Sequence, residues 1–273
     1  MTERLGVKMS INTLNESSMK IKEDVSYFES PQMAEIGWIK HAFLTRQGGV
    51  SLPPYHSLNW GSHNGDLEEL VIQNRNRTAS TFGVDPGRFF LLRQIHQDGI
   101  LLLRGLIENI PSSLEYDAVI TDSPNIFVGI LTADCLPVLI ADRTKRVVAA
   151  VHAGRQGTAL HIVKKVLRKM EETFDSSPED LLIALGPSIG PCCYEIDDRV
   201  FQPEWKPFSI SKRGGKWWVD LARITIRSLK EEGITEDQIS WIDLCTRCHS
   251  ELFYSYRRDG QTGRQLSFIG ILE

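Results

Sequence analysis

The sequence predicts an α+β fold in which mixed β-sheets pack between helices within a single domain. Apolar runs of strand length outnumber the segments with helical spacing, and a short turn joins two of those runs as an antiparallel hairpin. No internal repeat or low-complexity linker divides the 273 residues, and Gly and Pro are spread along the chain. We therefore expect one compact domain over residues 26–273. Residues 1–25 are rich in Ser, Asn, Thr, Lys and Glu, and we expect a flexible extension there.

The first third of the domain alternates strands with one helix. Trp38–Leu44 has strand character and runs into a glycine-bearing loop, Thr45–Ser51, and Leu67–Phe82 is predicted to be a helix. The apolar run Phe89–Ile95 predicts a strand that places His96 at its end. A further short strand is expected over Ile100–Leu103.

The middle of the chain contains three apolar runs that predict strands of one sheet buried on both faces. These runs are Ile126–Leu131, Pro137–Ala141 and Val147–Val151. The turn Asp142–Arg146 is short enough to make the last two a hairpin. Cys135 then falls between strands and His152 at the end of one.

The last third combines two helices with three strands. Apolar residues recur at helical spacing over Thr158–Phe174, which predicts an amphipathic helix, and Asp220 is placed to cap a second helix running to Glu232. The predicted strands are Leu181–Leu185, which leads into the loop Gly186–Gly190, then Gln238–Ile242 and Leu266–Ile271.

The composition argues against a membrane-spanning protein and against a nucleic-acid-binding protein. Hydrophobic residues make up 41% and charged residues 24% of the chain, and no apolar stretch reaches the length of a membrane span. A net charge of -4 gives no electrostatic reason to bind nucleic acid. The five cysteines are an odd number, and the N-terminus does not resemble a secretory signal, so we expect reduced thiols in the cytoplasm.

Three side chains offer the ligands that zinc prefers. His96, Cys135 and His152 supply two imidazoles and a thiolate, and three protein ligands leave the fourth position of a catalytic zinc to water or substrate. Their separations in the chain are long, so spacing alone does not distinguish this set from ordinary packing. Zinc bound by these residues remains one of two interpretations.

Other polar residues have a functional and a structural interpretation. Asp134 could act as a base or orient a ligand histidine, or it could cap a turn. The loop containing Arg46 could bind an oxyanion such as phosphate, or it could be a plain turn. The segment Tyr254–Gly260 suits a planar base and an anion, or a surface turn with an ion pair.

The remaining cysteines raise two further hypotheses, both of which the sequence disfavours. The segment Cys245–His249 matches the pattern for covalent c-type haem attachment, which takes place after export and so conflicts with the N-terminus. Cys245 and Cys248 could also join a second zinc site. We expect none, because Cys192 and Cys193 are adjacent and do not form a second pair at that spacing.

Taken together, the motifs of this chain resemble the laccase-domain family, formerly called multicopper polyphenol oxidases and since described as purine nucleoside phosphorylases. The resemblance spans most of the chain and keeps the order of the motifs. They are Thr45–Ser51, Gln94–His96, Asp117–Thr121, Thr132–Pro137, His152–Gly154, Gly186–Gly190, Cys192–Glu195, Cys245–Thr246 and Ser255–Asp259.

The resemblance implies a zinc ion held by His96, Cys135 and His152 in a single domain of α-β-β-α type. It implies phosphorolysis of adenosine, inosine and S-methyl-5'-thioadenosine, together with adenosine deamination, by a monomer or homodimer that binds no nucleic acid or membrane. Catalytic roles then fall to the three ligands and Asp134. Arg46, Gln94 and Arg258 are expected to contact the nucleoside or phosphate.

The chain departs from the family pattern after His152–Gly154, where Arg155 and Gln156 stand in place of the usual Trp followed by Arg or Lys. Gln97 replaces the small residue that is common after the motif histidine. Both departures lie beside the predicted metal ligands. They leave the substrate preference that the resemblance implies open for this chain.

Three other functions are alternatives to the zinc enzyme, and the first of them uses the same residues. In a metal-free thiol hydrolase, Cys135 would be the nucleophile and His152 its base. Copper-dependent phenol oxidation would require many more histidines than the seven in the chain. In a non-enzymatic protein the zinc would be structural or the main role would be to bind a partner, and the vacant fourth position argues against a purely structural zinc.

Overall fold

The computed structural model describes residues 11–62, 64–105, 114–212 and 214–273. The strands and α-helices take up about half of these residues. The strands are β1 Asn12–Leu14, β2 Lys20–Lys22, β3 Val25–Phe28, β4 Ile39–Leu44, β5 Phe89–Leu91, β6 Ile100–Leu103, β7 Ala118–Thr121, β8 Phe127–Thr132, β9 Leu136–Asp142, β10 Val147–Ala153, β11 Leu181–Leu185, β12 Glu195–Asp197, β13 Ser209–Lys212, β14 Lys216–Val219, β15 Ile239–Ile242 and β16 Gln265–Ile271. The helices are α1 Pro31–Ala34, α2 Glu68–Phe82, α3 Arg155–Ala159, α4 Ile162–Phe174, α5 Leu221–Glu231 and α6 Tyr256–Asp259.

The larger sheet has seven strands in the order β1-β15-β11-β9-β10-β7-β6. Its centre is the predicted hairpin, in which β9 and β10 pair antiparallel with Ala149 opposite Ile140. Every residue of β9 and β10 is buried, as their continuous apolar sequences predict. The sheet is mixed, because β11 pairs parallel with β15 and β6 pairs parallel with β7.

The second sheet has six strands in the order β2-β3-β4-β16-β8-β5. Strand β8 lies here, between β16 and β5, and not beside β9. The prediction that all three central apolar runs share one sheet was therefore wrong. An apolar run records burial on both faces, and either of two stacked sheets provides that burial.

The two sheets stack face to face, with helices covering both outer faces. The core between the sheets includes Phe43 and Ile130 from the second sheet and Leu139 and Ala150 from the first. Helices α4 and α5 pack on the outer face of the seven-stranded sheet. On the other side, Phe82 of α2 packs edge-on against Phe268 of β16, with ring centroids 5.1 Å apart. This α-β-β-α arrangement confirms the predicted fold class.

The N-terminal segment differs from the flexible extension that we expected. Residues 12–14 pair parallel with β15, and residues 20–22 pair antiparallel with β3. Ile11 and Leu14 are buried in the core. Main-chain pairing with existing strand edges orders this segment although its composition is polar, and residues 1–10 lie outside the described residues.

Two predicted elements are shorter than their hydrophobic patterns indicate. The strand expected over residues 89–95 ends at Leu91. Beyond it, the side chain of Gln94 bonds the backbone N–H and carbonyl of Leu131. The helix expected over residues 158–174 is two helices, because His161 adopts a left-handed conformation with φ of 58° between them.

A third, three-stranded sheet in the order β12-β14-β13 packs beside α5 through the buried side chains of Ile196, Trp205 and Val219. Within the described ranges, none of the helices combines the length and apolarity that crossing a bilayer requires.

Candidate metal centre

His96, Cys135 and His152 meet at one edge of the seven-stranded sheet. Cys135 immediately precedes β9 and His152 lies near the end of β10, so the hairpin register brings them together. His96 approaches from the loop after β5, where its φ of 61° turns the chain. One donor atom from each residue lies within 4.8 Å of the other two. The sequence-predicted ligand set is therefore assembled in the fold.

Asp117 links two of these ligands from the adjacent strand β7. Its carboxylate is fully buried and accepts a hydrogen bond from His152 Nδ1 at 2.7 Å. It also accepts the backbone N–H groups of His96 at 2.9 Å and Gln97 at 2.7 Å. This contact leaves Nε2 of His152 as the ligand atom, and ligand histidines commonly have such a carboxylate partner.

The space between the three donors fits a metal ion. The rings of His96 and His152 stand nearly perpendicular, with centroids 4.8 Å apart. Gly154 forms one wall, and a Cβ atom on it would lie 3.1 Å from Cys135 Sγ and 3.6 Å from His152 Nε2. Two imidazoles and a thiolate are a usual donor set for zinc. The centre is open on one side, because His96 is exposed while His152 is buried.

The electrostatics of the centre favour a thiolate. Burial raises the pKa of Cys135, but the adjacent His152 and His96 outweigh burial and lower it to about 6. Burial likewise lowers the pKa of His152, yet the Cys135 thiolate and Asp117 raise it to about 9. Without a metal, Cys135 and His152 therefore form an ion pair near neutral pH.

Asp134 is buried beside Cys135, and its carboxylate accepts two hydrogen bonds. One carboxylate oxygen accepts the Thr246 hydroxyl at 2.7 Å, and the other accepts the Arg257 backbone N–H at 2.7 Å. Its φ of 106° turns the backbone just before Cys135. The structure thus gives Asp134 the turn-forming role that was one of the two interpretations. Its predicted part in proton transfer stays a prediction.

The three residues expected to contact substrate all bond to main-chain groups. Arg46 is buried, bonds the carbonyls of His56 and Ser250, and lies over the Tyr254 ring.

Gln94 bonds both backbone groups of Leu131. Arg258 bonds the carbonyls of Thr246, Arg247 and Phe253. Each contact holds a loop in place, and direct binding of substrate by these three residues stays a prediction.

Sequence reasoning missed several residues around the thiolate. Asp117 stands immediately before the buried strand β7, and that position was the available signal. Arg264 lies within electrostatic range of Cys135 and Asp134. Tyr194 interacts with Cys135, Arg155 and Arg257, and the Arg257 guanidinium lies 5.2 Å from its ring centroid. Arg264 therefore acts electrostatically on the candidate ligand Cys135, and Arg155 and Arg257 act on the neighbouring Tyr194.

The chain matches one family model and is similar to several proteins of known name. The family model described as multi-copper polyphenol oxidoreductase laccase matches residues 40–272. The chain is 33% identical over 244 residues to the purine nucleoside phosphorylase YlmD of Bacillus subtilis, covering 85% of this chain and 88% of that protein. It is 36% identical over 247 residues to the purine nucleoside phosphorylase YfiH of Escherichia coli, covering 89% and 98%.

A solved structure shows the same fold. The hypothetical protein YfiH of Bacillus licheniformis superposes with a TM-score of 0.82 at 33% identity, covering 93% of this chain and 99% of that one. The ordered match of sequence, fold and motifs identifies the chain as a member of the multi-copper polyphenol oxidoreductase laccase family.

Proposed function

We propose that this protein is a zinc-dependent purine nucleoside phosphorylase that acts on adenosine, inosine and S-methyl-5'-thioadenosine and also deaminates adenosine. The observation that carries the proposal is the set of three donors from His96, Cys135 and His152, with Asp117 behind His152. Three protein ligands leave a coordination position for a reactant, which is typical of catalytic zinc and not of structural zinc. The curated relatives named above are purine nucleoside phosphorylases.

Zinc at such a centre supplies Lewis-acid chemistry. The protein's own residues prepare the site for it. Asp117 holds the His152 ring in one tautomer and orientation, and its bonds to the His96 and Gln97 N–H groups fix the loop that presents His96. The depressed pKa of Cys135 keeps its sulfur in the thiolate form that metal binding requires.

Phosphorolysis needs a positively charged surface that binds phosphate beside the metal. In phosphorolysis, a phosphate oxygen forms a bond to the ribosyl carbon, the bond to the purine nitrogen breaks, and the departing base takes a proton. Arg264 and Arg155 would attract phosphate, since the charge of Arg264 acts on Cys135 and that of Arg155 acts on the neighbouring Tyr194. The Tyr194 ring offers a planar surface to a purine. In deamination, water adds to the purine amino carbon and ammonia leaves.

The proposal also places the active protein in the cytoplasm as a monomer or homodimer that acts on small molecules. All five cysteines are free thiols, which suits a reducing compartment.

Metal analysis and activity assays on one preparation test this function. The purified protein is measured for zinc, then incubated with inosine or adenosine in the presence and absence of phosphate. We expect phosphate-dependent release of base with formation of ribose 1-phosphate, and phosphate-independent conversion of adenosine to inosine. Chelation should abolish both reactions and added zinc should restore them. Zinc-loaded protein that releases no base with phosphate would rule out the phosphorylase.

A metal-free cysteine hydrolase is a second candidate, because the Cys135 thiolate and the protonated His152 form the pair such an enzyme uses. Iodoacetamide labelling separates the two functions. A metal ligand is protected from alkylation by zinc and exposed by chelation, and activity follows zinc. A nucleophile reacts rapidly, retains activity after chelation and captures substrate covalently.

A further inference from the structure

Four cysteines outside the metal centre form a second cluster. Cys192 and Cys193 lie in the loop between β11 and β12, and Cys245 and Cys248 lie in the loop after β15. Their four sulfur atoms all lie within 4.8 Å of one another. The sequence offered no second cysteine pair at the spacing of Cys245 and Cys248, but the fold brings all four thiols together.

The fold explains why the two loops meet. Strands β11 and β15 are parallel neighbours, so the chain leaves both at the same edge of the sheet. A bridge between Ser188 and Cys245 extends this parallel pairing into the loops. Two adjacent cysteines and a Cys-x-x-Cys segment are thereby placed opposite each other.

The spacing of the sulfur atoms matches tetrahedral coordination. The Sγ atom of Cys248 lies 3.6 Å from that of Cys192 and 3.4 Å from that of Cys193. Four sulfurs at zinc–sulfur distances of about 2.3 Å in a tetrahedron stand roughly 3.8 Å apart. A disulfide would bring two of them to about 2.05 Å, and all four are free thiols.

The loops also supply hydrogen bonds to the sulfurs. The backbone N–H of Gly190 donates to Cys245 Sγ at 3.2 Å, and the N–H groups of Arg247 and Cys248 also face this sulfur. The N–H of Cys248 closes a turn on the carbonyl of Cys245 at 3.1 Å. The Arg247 side chain bonds Cys193 and places a positive charge beside the thiolates. N–H groups and a cation stabilise negative sulfur, so this environment suits thiolate ligands.

We propose that Cys192, Cys193, Cys245 and Cys248 bind a second zinc ion in a closed structural site. Four thiolates complete a tetrahedral zinc and leave no position for a reactant, in contrast to the three-ligand centre. Binding releases the thiol protons to solvent. The donor set is the one that selects zinc or iron among the common metals, and zinc is the occupant assigned here.

The proposed second zinc site holds in place the segment that precedes Cys135 of the candidate metal centre. Thr246 follows Cys245 and donates to Asp134, while the Ile189 N–H, in the other loop, donates to the Asp134 carbonyl at 2.9 Å. Asp134 in turn precedes Cys135. Zinc in the cluster therefore holds together the two loops that position Asp134, and its loss should loosen the metal centre without removing any of its ligands.

Metal stoichiometry and X-ray absorption test the proposal on the intact protein. We expect two zinc ions per chain in the native protein. Cys135→Ala should retain one ion with a shell of four sulfurs near 2.3 Å. Cys248→Ser should instead retain one ion bound by mixed nitrogen and sulfur. The two variants control for each other, since each removes one thiol from a different group.

A second measurement uses the unsubstituted protein, so its result does not depend on whether the variants fold. In native zinc-loaded protein, iodoacetamide should label Cys192 and Cys248 slowly although both are exposed, and chelation should make both react at least tenfold faster. One zinc per chain that disappears in Cys135→Ala would overturn the proposal. So would iron in place of zinc, disulfides within the cluster in freshly purified protein, or labelling of Cys192 and Cys248 at the same rate with and without the metal.

Discussion

The Asp117 carboxylate and the His152 imidazole are both buried and share a hydrogen bond of 2.7 Å between Oδ1 and Nδ1. Asp117 stands just before β7, which pairs antiparallel with β10, so the sheet register aligns the two residues. Because the same carboxylate also holds the His96 loop, one side chain orients two of the three proposed metal ligands. Its removal affects the centre without deleting a ligand.

Replacing Asp117 with Asn should weaken zinc binding by roughly 10- to 100-fold and reduce turnover by a similar factor. The amide lacks the charge that fixes the His152 tautomer and cannot accept all the bonds that the carboxylate accepts. Competition with a chromogenic chelator measures the affinity. Asp122→Asn, at the other end of β7, is the matched control because Asp122 forms an ion pair with Arg104 near the surface, away from the candidate ligands. Equal zinc affinity in the two variants would contradict this role.

In metal-depleted protein, the alkylation rate of Cys135 should rise with pH and level off above about 6, where an ordinary thiol levels off near 9. The histidines lower the thiol pKa, so the reactive thiolate persists down to this lower pH. His152→Gln should move the midpoint upward, since it removes the larger of the two histidine effects. Mass spectrometry of the labelled peptide isolates Cys135 from the other cysteines. A midpoint near 9 in the unsubstituted protein would refute the ion pair.

The strands with continuous apolar composition could be predicted from the sequence, and so could the grouping of His96, Cys135 and His152. The hairpin of β9 and β10 follows from its short turn, and the helix cap at Asp220 from residue type, with Asp220 accepting the Arg223 N–H at 3.0 Å. The choice of His96, Cys135 and His152 depended on the family resemblance, because no short spacing connects them. Asp117 stood before the strand β7 and at the start of one family motif, but neither signal indicated its contact with His152.

Other features depend on contacts between distant parts of the chain. The break at His161 interrupts a helical pattern without Gly or Pro to mark it, and the order of residues 12–14 depends on an available edge at β15. The cysteine cluster follows from the parallel placement of β11 and β15. Local patterns record burial and turn preference, but they do not specify which loops meet.

Replacing Gly154 with Ala should lower zinc affinity more than it lowers stability. The added Cβ would lie 3.1 Å from Cys135 Sγ and 3.4 Å from His96 Cδ2, so at least one ligand must move. Gly154 has φ of -71° and ψ of 177°, which alanine adopts without strain. The expected loss of zinc affinity therefore comes from the contact of the methyl group with the ligands. Gly37→Ala is the control, because a Cβ there meets nothing within 4 Å. Zinc titration and thermal unfolding separate the two effects. Unchanged zinc affinity would show that the centre tolerates the methyl group.

Asp220→Asn should stabilise the protein above pH 6 and have little effect near pH 4. Burial raises the pKa of Asp220 from 3.8 to about 6, despite the Arg223 N–H and guanidinium that lower it. A raised folded-state pKa means that the stability present below about pH 4 is lost as pH rises through 6, where the buried carboxylate must ionise. Asn caps a helix as well as Asp and carries no charge, so the gain should approach about 3 kcal/mol at pH 8. Urea unfolding of both proteins between pH 4 and 8 measures the difference. A variant less stable than the parent at pH 8 would mean that the ion pair with Arg223 outweighs the cost of burying the charge.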